Sequence, residues 1–365
     1  RIEKAGLLPQ ANDFLHASGV LSALCYKEEI EMALRTENFN GFQLLDLQDY
    51  PGQGTALVGI LNVFMQSKGF ITPKQWRQFC NDIVPLACFT KYCWNTNDTF
   101  TAKIKVSHYG KSDLQNQIVT CSLIRENGEK LFEKKITTNI QQGNLNTIDS
   151  LQIPLKGMKL NNEKLSFHIS LDNTEYHNSW NIWVYKNNEE IKEGETNGVI
   201  VTRDSIVFKN CLSQNKNVLY IPKSLDIWEN SVGGLFITDF WNYSGFKKTA
   251  LKMGKEPSPG TFGLLVNTTH PALKSFPTET HTNWQWWNII TASRPMILDS
   301  YTNCTPIVQV IDNWERNHKL GLIYEITDTN CNAIVCTSDL FAKKNDPEIK
   351  ALFHSLISYL STNRR

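Results

Sequence analysis

Residues 40–66 read NGFQLLDLQDYPGQGTALVGILNVFMQ. The pair Asn40-Gly41 breaks any preceding helix, and an apolar run follows over residues 42–47. The run closes in Gln48-Asp49-Tyr50-Pro51-Gly52-Gln53-Gly54, a polar loop with one proline and two glycines. A short apolar run of this kind predicts a buried strand. A helical stretch is expected around residues 56–66. Upstream, YKEEIEMALRT (residues 26–36) sets Ile30, Ala33 and Leu34 at helical spacing and carries acids near its start. Downstream, Thr72 is a candidate cap for a helix opening at Pro73. Helix, strand, polar loop and helix in this order form the unit of a parallel α/β fold. In such folds the loop after the strand faces the ligand.

Outward from this stretch the pattern changes. Residues 99–108 (TFTAKIKVSH) alternate, with Phe100, Ala102, Ile104 and Val106 on one face. Further short strands are predicted at 118–124, 131–137, 165–171 and 180–185, with turn signals such as Glu126-Asn127-Gly128 between them. Strands at this spacing over residues 95–195 predict an immunoglobulin-like β-sandwich, without the Cys…Trp…Cys framework of antibody domains. Residues 187–198 are charged and turn-rich, and read as a linker. Residues 199–365 mix buried strand runs (218–221, 234–238, 333–337) with an amphipathic terminal helix at 348–360, and predict an α/β domain.

Composition narrows the function. The 365 residues suggest two or three domains. Lysine plus arginine (37) nearly cancels aspartate plus glutamate (36). A formal charge of +1 gives no reason for a nucleic-acid partner. No apolar run approaches the roughly 20 residues of a membrane span. Residue 1 is arginine and the first methionine is Met32, so the sequence is read as starting inside a longer protein. The nine cysteines include Cys88/Cys93 and Cys331/Cys336, each C-x4-C rather than the C-x2-C of zinc sites. They read as reduced, buried thiols, and no metal or cofactor is expected.

Three groups of segments carry a resemblance. They are YKEEIEMALRT, GFQLLDLQDYPGQGTALVGIL and SKGFIT; then FTAKIKVSHYG; and last PGTFGLLVNTTHPAL, FPTETHTNWQWW and PIVQVIDNWERNHKLGLIYE. Together they resemble the C-terminal part of glycoside hydrolase family 2-type proteins of gut Bacteroidetes, beta-galactosidase-like or sugar-binding-domain proteins. The resemblance implies a multidomain α/β and all-β architecture. Residues 1–94 would be the end of a (β/α)8 barrel with residues 42–47 as its eighth strand. Residues 95–195 would be the sandwich, and 199–365 a glutamine amidotransferase-like, flavodoxin-like accessory domain. It further implies an exo-acting β-glycosidase in the periplasm or outside the cell, using a carbohydrate substrate, the upstream part of the same protein and a homo-oligomeric partner. The resemblance places the catalytic glutamates after strands 4 and 7, so both would precede Arg1, and no Ser-His-Glu-Ile-Gly motif is present. Retaining hydrolysis needs two carboxyl groups about 5–5.5 Å apart, so no catalytic residue is assigned to this sequence. The alternative is a non-catalytic carbohydrate-binding or assembly protein derived from the family.

Two groups of site residues follow. Gln48, Asp49, Tyr50 and Gln53 would line a sugar pocket, since amides and carboxylates meet hydroxyls and an aromatic forms a platform. The bland alternative is a structural turn, with Asp49 capping a local N–H. His281, Trp284 and Trp286 form a possible second sugar contact, beside Glu279 and Trp287. The apolar C–H face of a pyranose suits a π-face, although tryptophans also fill cores. No Gly-x-Cys-x-Gly elbow is present, so an amidotransferase nucleophile is not expected. Glu28, Glu29 and Glu31 read as a solvated helix start with ordinary ion pairs. The run Asp312, Glu315, Arg316, Asn317, His318 reads as charge pairing at a turn.

Overall fold

A computed structural model describes residues 1–39, 41–50, 52, 58–233, 243–255 and 260–362. The chain divides into two units. One comprises Ser22–Tyr50 and Val58–Asn187; the other includes Arg1–Leu21 and Asn188–Arg365. The first helix, α1 (Ala11–Arg35), contributes its residues up to Leu21 to the latter and the rest to the former.

The first unit is built on two β-sheets. In chain order its strands are β1 (Ile83–Cys88), β2 (Cys93–Asn95), β3 (Thr99–His108), β4 (Leu114–Arg125), β5 (Lys130–Ile140), β6 (Asn144–Pro154), β7 (Glu163–Leu171) and β8 (His177–Tyr185). One sheet runs β1-β3-β6 and the other β2-β8-β7-β4-β5. The period-two alternation of β3 sends Phe100, Ala102, Ile104 and Val106 into a shared core. There they meet Leu165, Phe167, Ile169 and Leu171 of β7. The Phe100 ring lies 5.1 Å from Phe167 and 5.3 Å from Trp94, joining the two layers. Gly128, at φ +87°, makes the β4–β5 turn, where a side chain is disfavoured. β1 lies before residue 95 and β2 begins before it, yet they pair with β3 and β8 of this unit.

The helical segment Ser22–Arg35 belongs to this unit and is not simply a solvated surface. Glu31 is fully buried. Its carboxylate accepts from Lys27 Nζ (2.6 Å), Arg35 Nη2 (2.5 Å), Asn178 Nδ2 (2.8 Å) and Trp180 Nε1 (2.8 Å). Arg35 also pairs with Glu28 at 2.8 Å, and the Tyr92 hydroxyl donates to Glu28 at 3.2 Å. The i,i+4 spacing of 27, 31 and 35 was legible, but the burial comes from β8, whose Asn178 and Trp180 cover the acid.

The barrel expectation is overturned at the segment that carried it. Residues 42–47 form no strand. Only Gln48 makes a parallel bridge, to Leu61. A buried parallel strand needs a hydrogen-bonded neighbour on each side, and here Phe42, Leu45 and Leu47 are 42%, 81% and 41% exposed. Nor are residues 58–66 helical. The Asn62 side chain accepts from the Phe64 and Gln66 amides (2.9 and 3.0 Å), a local turn that competes with helix. The helix expected at Pro73 is a single turn, α2 (Pro73–Trp76), closed by a capping box between Thr72 and Gln75.

The second unit is a mixed sheet with helices: β9 (Gly194–Thr196), β10 (Val199–Thr202), α3 (Ser205–Ser213), β11 (Val218–Tyr220), α4 (Tyr243–Lys252), β12 (Thr261–Val266), α5 (Trp287–Thr291), β13 (Met296–Ile297), β14 (Cys304–Asp312), β15 (Lys319–Ile326), β16 (Ala333–Cys336) and α6 (Pro347–Leu360). Its order is β12-β14-β15-β16-β11-β10-β9, with β13 on β15. Only β10-β11-β16 are parallel. A flavodoxin-like or amidotransferase-like domain would be a mostly parallel sheet, whereas here β9, β12, β13, β14 and β15 all pair antiparallel. The whole is therefore an all-β and α+β mix rather than a barrel end followed by doubly wound α/β. The strand expected at 234–238 lies outside the described residues. Apolar residues of α3, including Phe208 and Cys211, pack with Val218, Tyr220, Ala333 and Val335, while α6 meets β11 and β16. The Asp312–His318 run is the β14–β15 turn, where Arg316 pairs with Asp312 at 2.6 Å and Asn313 Oδ1 accepts from the Glu315 and Arg316 amides.

Candidate aromatic binding site

The second unit presents one aromatic surface on a stiff base, at residues 276–291. β12 ends at Val266, whose amide donates to Thr280 O at 3.0 Å, and Leu265 bridges His281. The chain then enters a short 3-10 turn, Trp284–Trp286, that runs into α5. Helical spacing decides which rings face out. Residues three apart share a side, so Trp284 and Trp287 emerge together while Gln285 and Trp286 turn inward.

Several hydrogen bonds tie the base together. Asn283 Oδ1 caps the turn by accepting from the Gln285 amide at 3.1 Å, and Asn283 Nδ2 donates to Glu279. Gln285 Nε2 donates to Pro277 O at 3.0 Å. The Trp286 indole donates to Thr278 Oγ1 at 2.9 Å and packs edge-on against Phe276 at 5.2 Å. Asn288 Nδ2 donates to Glu348 of α6 at 2.7 Å. At Gly263 the backbone has φ +96°, and a Cβ would lie 2.6 Å from Leu21 Cδ2 and 2.8 Å from Thr282 Oγ1. That Thr282 hydroxyl accepts from the Leu264 amide at 2.8 Å, so glycine lets β12 close against the segment.

On this base Trp284 is 38% and Trp287 47% exposed. Their ring centroids are 6.3 Å apart and their planes tilt by 51°. Such a surface covers the apolar face of a ring while leaving the ring's polar edge in water.

The expected site residues separate accordingly. His281 is half-buried on the bridge to Leu265. Trp284 is on the surface, as a sugar contact requires. Trp286 is fully buried and hydrogen-bonded, so Trp287 takes its place on the surface. In NWQWW, residues 283–287, a helical turn sends out either 284 with 287 or 283 with 286, and the sequence does not say which. In the other unit, Gln48 bridges Leu61, and Tyr50 is half-exposed. Asp49 is buried, accepting from the Gly59 amide at 3.0 Å and pairing with Lys68 at 2.6 Å. Gln53 lies outside the described residues.

All nine cysteines are free thiols, and burial pushes the Cys336 thiol up to about 12. Among the described residues no group of three or more His, Cys, Asp or Glu has metal-holding geometry, and no helix is long and apolar enough to cross a membrane.

Comparison with known proteins adds two family matches. Residues 199–365 match a Domain of unknown function (DUF8487), and residues 98–186 match another (DUF8488). No curated protein matches the chain. Among solved structures, E. coli alpha-2-macroglobulin aligns with 31% of this chain at 12% identity and TM-score 0.23, over 6% of its own length. The Pseudomonas fluorescens alkylpurine DNA glycosylase AlkC aligns with 28% at 9% identity and TM-score 0.23, over 30% of its length. A family 123 glycoside hydrolase from Clostridium perfringens aligns with 36% at 12% identity and TM-score 0.21, over 32% of its length. Likeness at this level leaves fold and function to be argued from the chain itself.

Proposed function

We propose that this chain is a carbohydrate-binding module that holds glycan by stacking on Trp284 and Trp287 and performs no hydrolysis of its own. The observation that carries the reading is the pair of exposed, mutually tilted indoles on a base tied by several hydrogen bonds. Aromatic rings held on a hydrogen-bonded base lower the ordering cost of binding a glycan. Catalysis has lost its support, because the segment that was to supply a barrel strand is irregular. On the resemblance, the module would serve a longer β-galactosidase-like protein of the periplasm or cell exterior.

The test is affinity electrophoresis in galactan, xylan and β-glucan gels, with tryptophan fluorescence titration by the matching oligosaccharides. Taking about 0.5–1.5 kcal/mol per aromatic contact, Trp284→Ala and Trp287→Ala should each weaken binding roughly 2- to 13-fold. Unretarded migration of the wild type in every gel, or retardation unchanged in both variants, removes the reading. Light scattering that shows a dimer dissolved by the same variants would assign the surface to self-assembly instead.

A further inference from the structure

A cleft of about 140 Å³ lies in the second unit, between the start of α1, the first residues of β12 and the β14–β15 turn. Its size limits what can enter. It is well below the roughly 300–1,000 Å³ of sites for larger molecules and close to that of an apolar cavity that holds one benzene ring. Phe14, Phe262 and Trp314 line it, with Leu7 and Ile311. Leu7, Phe14 and Ile311 form one buried apolar cluster, and Phe262 packs against it. The Phe262 and Trp314 rings lie 5.4 Å apart and tilt by 56°. Walls of this kind favour another aromatic ring, met edge-on or offset.

The polar lining decides the rest. Asp312 pairs with Arg316 at 2.6 Å, and its other oxygen accepts from the His318 amide at 3.0 Å. The Ser18 hydroxyl donates to Phe14 O at 2.7 Å, and Asn317 Nδ2 donates to Trp314 O at 2.6 Å. Asp312 is thus the one carboxylate in the lining and is already neutralised, so a charged ligand would enter uncompensated. His318 differs. It is 31% exposed, and its Nδ1 lies 2.7 Å from Asp299 Oδ2. A carboxylate only accepts, so Nδ1 carries the proton and Nε2 of the neutral ring is an acceptor. That Nε2 has no hydrogen-bond partner among the described residues and is not buried. A ring-sized apolar space beside an open acceptor matches a neutral aromatic ring that carries a hydroxyl. A sugar would leave most of its hydroxyls unmet there.

We propose that this cleft binds a free single-ring phenol, its ring among Phe14, Phe262 and Trp314 and its hydroxyl donating to His318 Nε2. The site shares no residue with the tryptophan surface, so either can fail alone. The probes are para-fluorophenol and fluorobenzene, which differ only by the hydroxyl, each titrated by fluorine NMR against the intact chain. Both should bind, the phenol about 2- to 13-fold more tightly. His318→Phe should keep binding and erase that preference, which a merely structural role of His318 would not do. Ser18→Leu puts a larger side chain into the cleft and should abolish binding of both probes, while the Trp284→Ala/Trp287→Ala double variant should bind as the wild type does. Absence of binding by both probes, equal affinity of the two in the wild type, a preference that survives His318→Phe, or binding unchanged in Ser18→Leu overturns the proposal. Loss of binding in the tryptophan variant also overturns it, by moving the ring to the other surface. Should Ser18→Leu not fold, His318→Phe, at a partly exposed position, decides alone.

Discussion

Glu31→Gln puts the buried charge cluster of the first unit under direct test. The carboxylate receives four donors, two of them charged, at 2.5–2.8 Å. Substitution leaves Lys27 and Arg35 in place without the acid that neutralises them. Glu28 still holds Arg35, and the Lys27 ammonium keeps Asn178 and lies 5.0 Å from the Trp180 ring centroid. Removing one member of a buried pair costs about 3–5 kcal/mol, which for a unit of this size lowers the melting temperature by about 6–20 °C. Acid adds a second signature. Burial pushes the Glu31 carboxyl up, but the Lys27 and Arg35 charges and the hydrogen bonds outweigh it, so its folded value lies below the ordinary one. A group depressed on folding contributes stability above its unfolded value, about 4.3 for glutamate, and loses it as pH falls through the folded value. The advantage of the wild type over Glu31→Gln should therefore begin to shrink below about pH 4 and keep shrinking as pH falls toward the depressed folded value. Calorimetry from pH 7 down to 3 reads both effects. A shift under about 4 °C at pH 7, or curves that stay parallel in acid, would refute the buried pairing.

Trp286→Ala should cost the second unit about 3–5 kcal/mol, as a fully buried indole does, and chemical denaturation should show Trp284→Ala costing much less. Gly263→Ala should destabilise the same unit by about 1–3 kcal/mol, because the positive φ and the Leu21 and Thr282 contacts both resist a Cβ; an unchanged denaturation midpoint would contradict the close approach. Asp49→Ala strips the buried Gly59 amide of its acceptor and should cost about 1–3 kcal/mol in the first unit, while glycan retardation in gels stays as in the wild type. Cys121 and Cys336, both fully buried with thiols pushed up to about 12, should react with maleimide only after denaturation, which mass spectrometry of labelled peptides would check.

Much of the first unit was legible because β-sheet burial is local in period. The alternation of residues 99–108 places four side chains in the core without knowledge of any partner. The terminal helix was equally visible, residues 348–360 falling within α6. β1 and β2 were not read as part of that unit, since their membership depends on pairing with β3 and β8. The candidate site was half visible: a tryptophan cluster could be found by eye, but Trp286 and Trp287 exchange places according to how a single turn is rotated. Asp49 and Glu31 look like any surface acids until the groups that cover them are known.

What the sequence by itself determined is whatever a repeating local geometry dictates, such as the strands of alternating residues and the Thr72-Pro73 helix start, together with the near-neutral charge. Only the tertiary structure decided that residues 42–47 pair with no sheet, that β12, β14 and β15 run antiparallel, and that Trp286 rather than Trp287 is buried. An apolar run shows only that burial would be favourable. Whether it is achieved depends on which distant segments bring hydrogen-bonding edges and apolar faces to it, and that is a property of the folded chain.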